Sequence, residues 1–160
     1  MDPKVKITKD DIFEQSRARH LITVGFLKAL KDNFSRDLAF KIAQQGFTNY
    51  MTEYYNLVLK STENGTQERF DLFRRHYEEY AAKCPYCNIE ESTPNVLKVR
   101  YTRCPFAEVL AEYNLYDLAY AFCLSDSAFT KNALSGVKFY REHEIVKGDS
   151  YCDHTWIFTK

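Results

Sequence analysis

The sequence is poor in the features that usually mark a partner. It has no surplus of charge: 22 Lys and Arg face 22 Asp and Glu, a formal net charge of 0. A nucleic-acid binder normally carries a basic excess, so composition gives no electrostatic case for DNA or RNA. No apolar run approaches 18 residues, which argues against a membrane span. The opening MDPKVKITKDDIFEQ lacks the apolar core of a secretion signal, so the expected location is the cytoplasm. Five glycines leave little material for a phosphate-cradling loop, and no cofactor is called for. Only four histidines are present. Three of them, His20, His76 and His143, are isolated, and none makes a metal-ligand pattern with a neighbour.

What the chain does have is aromatic bulk and thiols. Twelve Tyr and twelve Phe in 160 residues imply a core of large rings, with room for a cavity among them. Hydrophobic residues at 45 % and charged residues at 28 % are the balance of a folded globular protein. The length suits one domain, spanning residues 1–160. In a reducing compartment the five cysteines (Cys84, Cys87, Cys104, Cys123 and Cys152) are expected as free thiols or metal ligands. Asn64-Gly65-Thr66 matches a glycosylation acceptor but reads as a turn leading into a helix.

Residues 1–95 read as mainly helical. Asp10 or Asp11 is placed to cap a first helix reaching about Leu30, Ser35 a second and Thr66 a third. Phe40, Phe47 and Tyr54 recur every seven residues in the second helix, flanked by Ala43, Tyr50 and Leu57. Phe70, Phe73, Tyr77 and Tyr80 form the apolar stripe of the third. The period then changes. Leu97, Val99 and Tyr101 alternate with Lys98, Arg100 and Thr102, the pattern of a strand. A helix starting at Pro105 and ending at Asn114 follows, then LYDLAYAFCLSDSAF as a further helix, then strands around VKFYREHEI and YCDHTWIF. The expected fold is α+β: an N-terminal helical bundle packed on a small three-stranded antiparallel sheet, with residues 96–160 arranged β-α-α-β-β.

Four places carry chemistry. Pro105 suits the first helical position, which makes Cys104 the N-cap; free backbone N–H groups and Arg103 would favour its thiolate. The alternative is a small apolar corner residue. Cys123 and Asp126, three apart, share one side of their helix, Asp126 as a packing or capping group or as a catalytic one. In the last strand Cys152, His154, Trp156 and Phe158 share a face, with Cys152 and His154 about 7 Å apart. Asp153 points away, so Asp126 is the better acidic partner for His154, which otherwise reads as an ordinary strand histidine. Finally, Cys84-Pro85-Tyr86-Cys87 has dithiol spacing, but it ends a helix before the turn-like NIEESTPN. It reads first as helix-end packing and only secondarily as a metal or redox site.

Taken in order, Cys104-Pro105, then Cys123 to Asp126, then Gly148-Asp149 leading into Cys152-Asp153 resemble the L-2-amino-thiazoline-4-carboxylic acid hydrolase family over residues 96–158. Two features depart from that family: His154 stands where an aromatic residue is common, and CPYC is not a hallmark. The resemblance implies a hydrolase that opens a cyclic amidine-like substrate by thiolate or activated-water attack. Cys104, Asp126, His154 and Cys152 are its candidate catalytic residues, and Arg103, Cys123 and Trp156 its candidate substrate contacts. A non-catalytic small-molecule binder and a cysteine-based metal or redox protein are the alternatives. The expected partner is a small molecule; nothing in the sequence calls for a homo-oligomer.

Overall fold

The computed structural model describes residues 9–159. Three helices come first: α1 (Lys9–Asn33), α2 (Arg36–Val58) and α3 (Gln67–Ala81). Helix α1 is already formed at Lys9, so Asp10 and Asp11 lie inside it and neither is its cap. The other two caps are as the sequence suggests. The Ser35 hydroxyl accepts the Leu38 N–H at 3.4 Å, and that of Thr66 accepts the Arg69 N–H at 3.3 Å. Gly65, at φ 85°, makes the turn that releases α3.

The sheet has four strands, not three. Strand β1 (Cys87–Ser92) precedes β2 (Val96–Tyr101), β3 (Val137–Tyr140) and β4 (Cys152–Phe158), in the order β1-β2-β4-β3 and antiparallel throughout. The unexpected strand is the turn-like segment after CPYC. It lies at a sheet edge, pairs only with β2, and carries a register shift between Ile89 and Glu91. Such a strand needs no alternating apolar pattern, and its charges protect the open edge. Strand β3 is shorter than expected. The Asp153 carboxylate takes the backbone N–H groups of Glu142 (3.1 Å) and His143 (2.5 Å), and the chain turns out of the sheet after Tyr140.

Helix α4 (Pro105–Glu112) starts at its N-cap Cys104, and Asn114, at φ 57°, lies just beyond its end. Helix α5 (Tyr116–Ala133) then runs through both hydrophobic cores. One core packs Phe70 and Phe73 of α3 and Phe129 of α5 on Leu97, Val99 and Trp156 of the sheet. The other joins Val24 and Leu27 of α1 with Val109 and Leu110 of α4 and Leu118 of α5. In α2 the buried line is Ala39, Ala43, Thr48 and Tyr55, whereas Tyr50 and Leu57 are exposed. A seven-residue repeat drifts around a straight helix by about 20° per heptad, so the 40-47-54 stripe does not stay on one face.

Candidate active site

The sheet and all five α-helices line a cavity of about 310 Å³. Six tyrosines and two phenylalanines supply much of its wall. Cys104, Cys123, Asp126, Cys152, His154 and Arg103 all line it, although they come from three separate parts of the sequence. The register explains part of this convergence. Val99 stands opposite His154 and Tyr101 opposite Cys152, which aligns the polar end of β4 with the mouth of α4. Trp156 does not line the cavity. It is fully buried in the core, and its indole N–H donates to the Thr130 hydroxyl at 3.0 Å.

At the polar end lies a residue that sequence reasoning missed, Arg141. Its guanidinium is buried, donating to Asp126 Oδ2 at 2.9 Å and to the Cys123 carbonyl at 3.0 Å. The Glu144 carboxylate lies 3.2 Å away on its other side and is also held by Lys147 at 2.7 Å. The sequence pattern places Arg141 in a strand; the turn anchored by Asp153 is what brings it inward. Burial pushes the Asp126 carboxyl up to about 7, against the opposing pull of Arg141. Arg141 and His154 both approach Oδ2, and Oδ1 has no protein partner among the described residues.

His154 does face Asp126, at 3.9 Å, a distance too long for a hydrogen bond. The ring packs against Tyr101, Phe139 and Trp156, with Nδ1 buried and unpartnered. Burial first, and Arg141 second, push it down to about 3, so it stays neutral near pH 7. Cys104 is the N-cap and faces the N–H groups of Phe106 and Ala107. Its thiol is nonetheless pushed up to about 11, because desolvation outweighs those donors. The expected low-pKa thiolate is not there. Cys123 and Cys152 are also raised by burial, and the Cys152 sulfur accepts the Ile145 N–H at 3.1 Å. Arg103 is gripped by Glu108 through contacts of 2.7, 3.0 and 2.7 Å.

The one thiol shifted downward is Cys84, to about 6. The Cys87 thiol is the largest cause, followed by the Tyr80 hydroxyl and the backbone of Tyr86. The CPYC segment lies directly behind the tyrosine wall. His20 and His76, isolated in sequence, line the cavity. His143 is likewise not alone: with Glu142 and Asp153 it forms the one convergence of three metal-ligand side chains among the described residues. Cys84 and Cys87 are not part of it. Only Glu142 of that cluster is exposed, and the Asp153 carboxylate is already used in closing the β3 turn, where it accepts the backbone N–H groups of Glu142 and His143.

The fold and site define a small α+β protein with an aromatic cavity ending in a buried carboxylate, an arginine and three thiols. The chain belongs to the L-2-amino-thiazoline-4-carboxylic acid hydrolase family, whose model matches residues 15–156. No curated protein matches it. Among solved structures, a trafficking protein particle complex subunit 3 from Naegleria fowleri, covalently bound to palmitic acid, has the same fold. The TM-score is 0.51 at 12 % identity, over 92 % of this chain and 97 % of that one. None of the described helices is long and apolar enough to cross a membrane.

Proposed function

We propose that the cavity hydrolyses a small cyclic amidine-like molecule of the 2-amino-thiazoline type, and that Asp126 activates the attacking water. The observation that carries this reading is the Asp126 carboxyl itself: buried at the cavity's polar end, fixed by Arg141, and poised near neutrality. A general base works best when its pKa lies close to the working pH. The ionised carboxylate takes a proton from water as the oxygen bonds to the ring carbon between sulfur and nitrogen. The tetrahedral centre then collapses to the carbonyl with cleavage of the carbon–sulfur bond, one of the water's protons going to the departing sulfur and the other to the ring nitrogen. The products are a carbonyl and a free thiol, the ring having been opened by one water. Arg141 is a positioning residue for Asp126. Cys104, Cys123 and Cys152, all held toward the neutral thiol, shape the wall.

The test is turnover of cyclic thiazoline and amidine substrates, followed by product mass and thiol release. Asp126→Asn should lower kcat by about 10²–10⁴-fold, and activity in the parent should rise with an apparent pKa near 7. Cys104→Ser, which keeps a capable N-cap, should retain activity to within about tenfold. Loss of turnover in Cys104→Ser with little change in Asp126→Asn would replace water with thiolate attack. A second reading, a non-catalytic carrier, is favoured by the three thiols in an apolar cavity. Tight ligand binding without turnover on any substrate would establish it.

A further inference from the structure

The CPYC segment has no part in the hydrolytic reading, and the fold gives its two cysteines a geometry of their own. Cys84 follows the end of α3, and Cys87 opens β1. Between them Pro85 and Tyr86 form a turn, closed by the Cys87 N–H donating to the Cys84 carbonyl at 3.3 Å. Proline suits the second position of such a turn, because its ring fixes φ there. A turn of this kind holds its end Cα atoms within about 7 Å, and a disulfide spans about 4.4–6.8 Å. The backbone therefore already presents the pair close to bonding separation. Both are free thiols, and their side chains hydrogen-bond to each other.

The two sulfurs are not equivalent. Cys84 is held down to about 6 by the Cys87 thiol first, then by the Tyr80 hydroxyl and the Tyr86 backbone. These donors outweigh burial and the C-terminal end of α3, whose carbonyls disfavour an anion. Cys87 is pushed up by the same contact and by burial, so it keeps its proton. A thiolate beside a thiol divides the work of a redox pair, one sulfur attacking and the other resolving. A metal site is the weaker use, because no third Cys, His, Asp or Glu converges on the pair among the described residues. Both sulfurs are buried, which favours a small peroxide over a protein disulfide as oxidant.

We propose that Cys84 and Cys87 form a reversible dithiol–disulfide site, oxidised by hydrogen peroxide, that sets the hydrogen bonding of the cavity's tyrosine wall. The Cys84 sulfur attacks one peroxide oxygen and the O–O bond breaks. Hydroxide leaves, to be protonated as water, and Cys84 becomes a sulfenic acid. The Cys87 sulfur then bonds to the Cys84 sulfur, its proton going to the departing hydroxide. The pair is oxidised by two electrons, and the peroxide is reduced to two waters. The effect reaches the cavity because Tyr80 bonds to Cys84 and Tyr101 to Cys87, and both tyrosines line it. Sulfur in a disulfide is a weaker acceptor than a thiolate, so oxidation releases both hydroxyls.

Mass spectrometry of the full chain, alkylated after exposure to limiting hydrogen peroxide at neutral pH, tests this. The peptide carrying Cys84 and Cys87 should lose two hydrogens and escape alkylation, at least about tenfold faster than Cys104, Cys123 or Cys152 is oxidised. Dithiothreitol should restore both thiols. If both remain alkylatable after another cysteine has been oxidised, the site is overturned. In Cys87→Ser, whose hydroxyl still donates to Cys84, the sulfenic acid has no resolving thiol, and dimedone should label Cys84. Cys84→Ser should leave Cys87 unlabelled; equally fast labelling of Cys87 there would refute the assigned roles. Near-ultraviolet circular dichroism reads the tyrosines, and the spectrum should change on oxidation of the parent and revert with dithiothreitol. An unchanged spectrum across full oxidation would detach the pair from the cavity wall. None of these readouts requires turnover, so their outcome is separate from that of the hydrolase reading.

Discussion

A thiol at a helix N-cap faces unsatisfied backbone N–H groups, and this favours its anion. Cys104 has that position and still sits near 11, because the cavity wall removes water from around it. Cys84 shows the opposite balance, where the Cys87 thiol, the Tyr80 hydroxyl and the Tyr86 backbone together outweigh desolvation. The pH dependence of alkylation, read by mass spectrometry of each cysteine peptide, should therefore show a midpoint near 6 for Cys84 and near 11 for Cys104. Cys87→Ala removes the largest donor and should move the Cys84 midpoint upward. A Cys104 midpoint below about 8.5 would instead restore the thiolate nucleophile. At this scale the sequence is legible in position but not in environment. The N-cap and the Cys123–Asp126 side could be read from periodicity, as could the face of β4 that turns His154 toward Asp126, at 3.9 Å, rather than toward Asp153. The direction of each pKa shift depends on desolvation by residues distant in sequence.

Elements declare themselves when local signals agree. Ser35, Thr66 and Pro105 marked three helix starts because a cap or an N1 proline acts within one turn. Strand β1 gave no such signal, since an edge strand is stabilised by its neighbour's ladder. The early end of β3 was equally hidden, being set by Asp153 from another strand. Arg69 is a further contact of this kind. Buried in α3, it donates to the Leu59 carbonyl at 2.9 Å and the Thr62 carbonyl at 3.1 Å just past α2. It also reaches the Ala133 carbonyl at 2.7 Å in the last turn of α5, and Asn56 Oδ1 at 2.8 Å. One cation thus binds carbonyls at two helix ends and complements both dipoles. Arg69→Met keeps much of the volume but removes the donor from the Thr62 and Ala133 carbonyls and from Asn56, while the Leu59 carbonyl still accepts from the Thr62 N–H and hydroxyl. Denaturant unfolding should show a loss of about 3–5 kcal/mol, and Arg69→Lys should recover only part of it. A loss under about 1 kcal/mol would mean that water replaces the guanidinium.

Over the whole molecule, the two buried groups that meet across the cavity's polar end pull stability in opposite directions with pH. His154 has a folded value of about 3 against an ordinary 6.5, so its contribution is complete above pH 6.5 and is lost as pH falls toward 3. Asp126 has a folded value of about 7 against an ordinary 3.8. Its contribution is complete below pH 3.8 and is lost as pH rises toward 7. Between pH 5 and 6.5 the two slopes oppose one another, each about 1.4 kcal/mol per pH unit. The parent should therefore lack a strong slope from this pair in that window, and each single variant should unmask the other's. His154→Phe places an apolar ring among Tyr101, Phe139 and Trp156 and leaves Asp126 titrating. It should be more stable at pH 5 than at pH 6.5, by about 2 kcal/mol relative to the parent. Asp126→Asn leaves His154, and should be less stable at pH 5 than at pH 6.5 by a similar margin. The change with pH is the quantity to read, because Asp126→Asn also weakens the bond to Arg141 and lowers stability at every pH. Urea unfolding of the three proteins at the two pH values decides it. Parallel slopes in all three would show that neither group is held away from its ordinary ionisation, and would remove the basis for Asp126 as a base poised near neutrality.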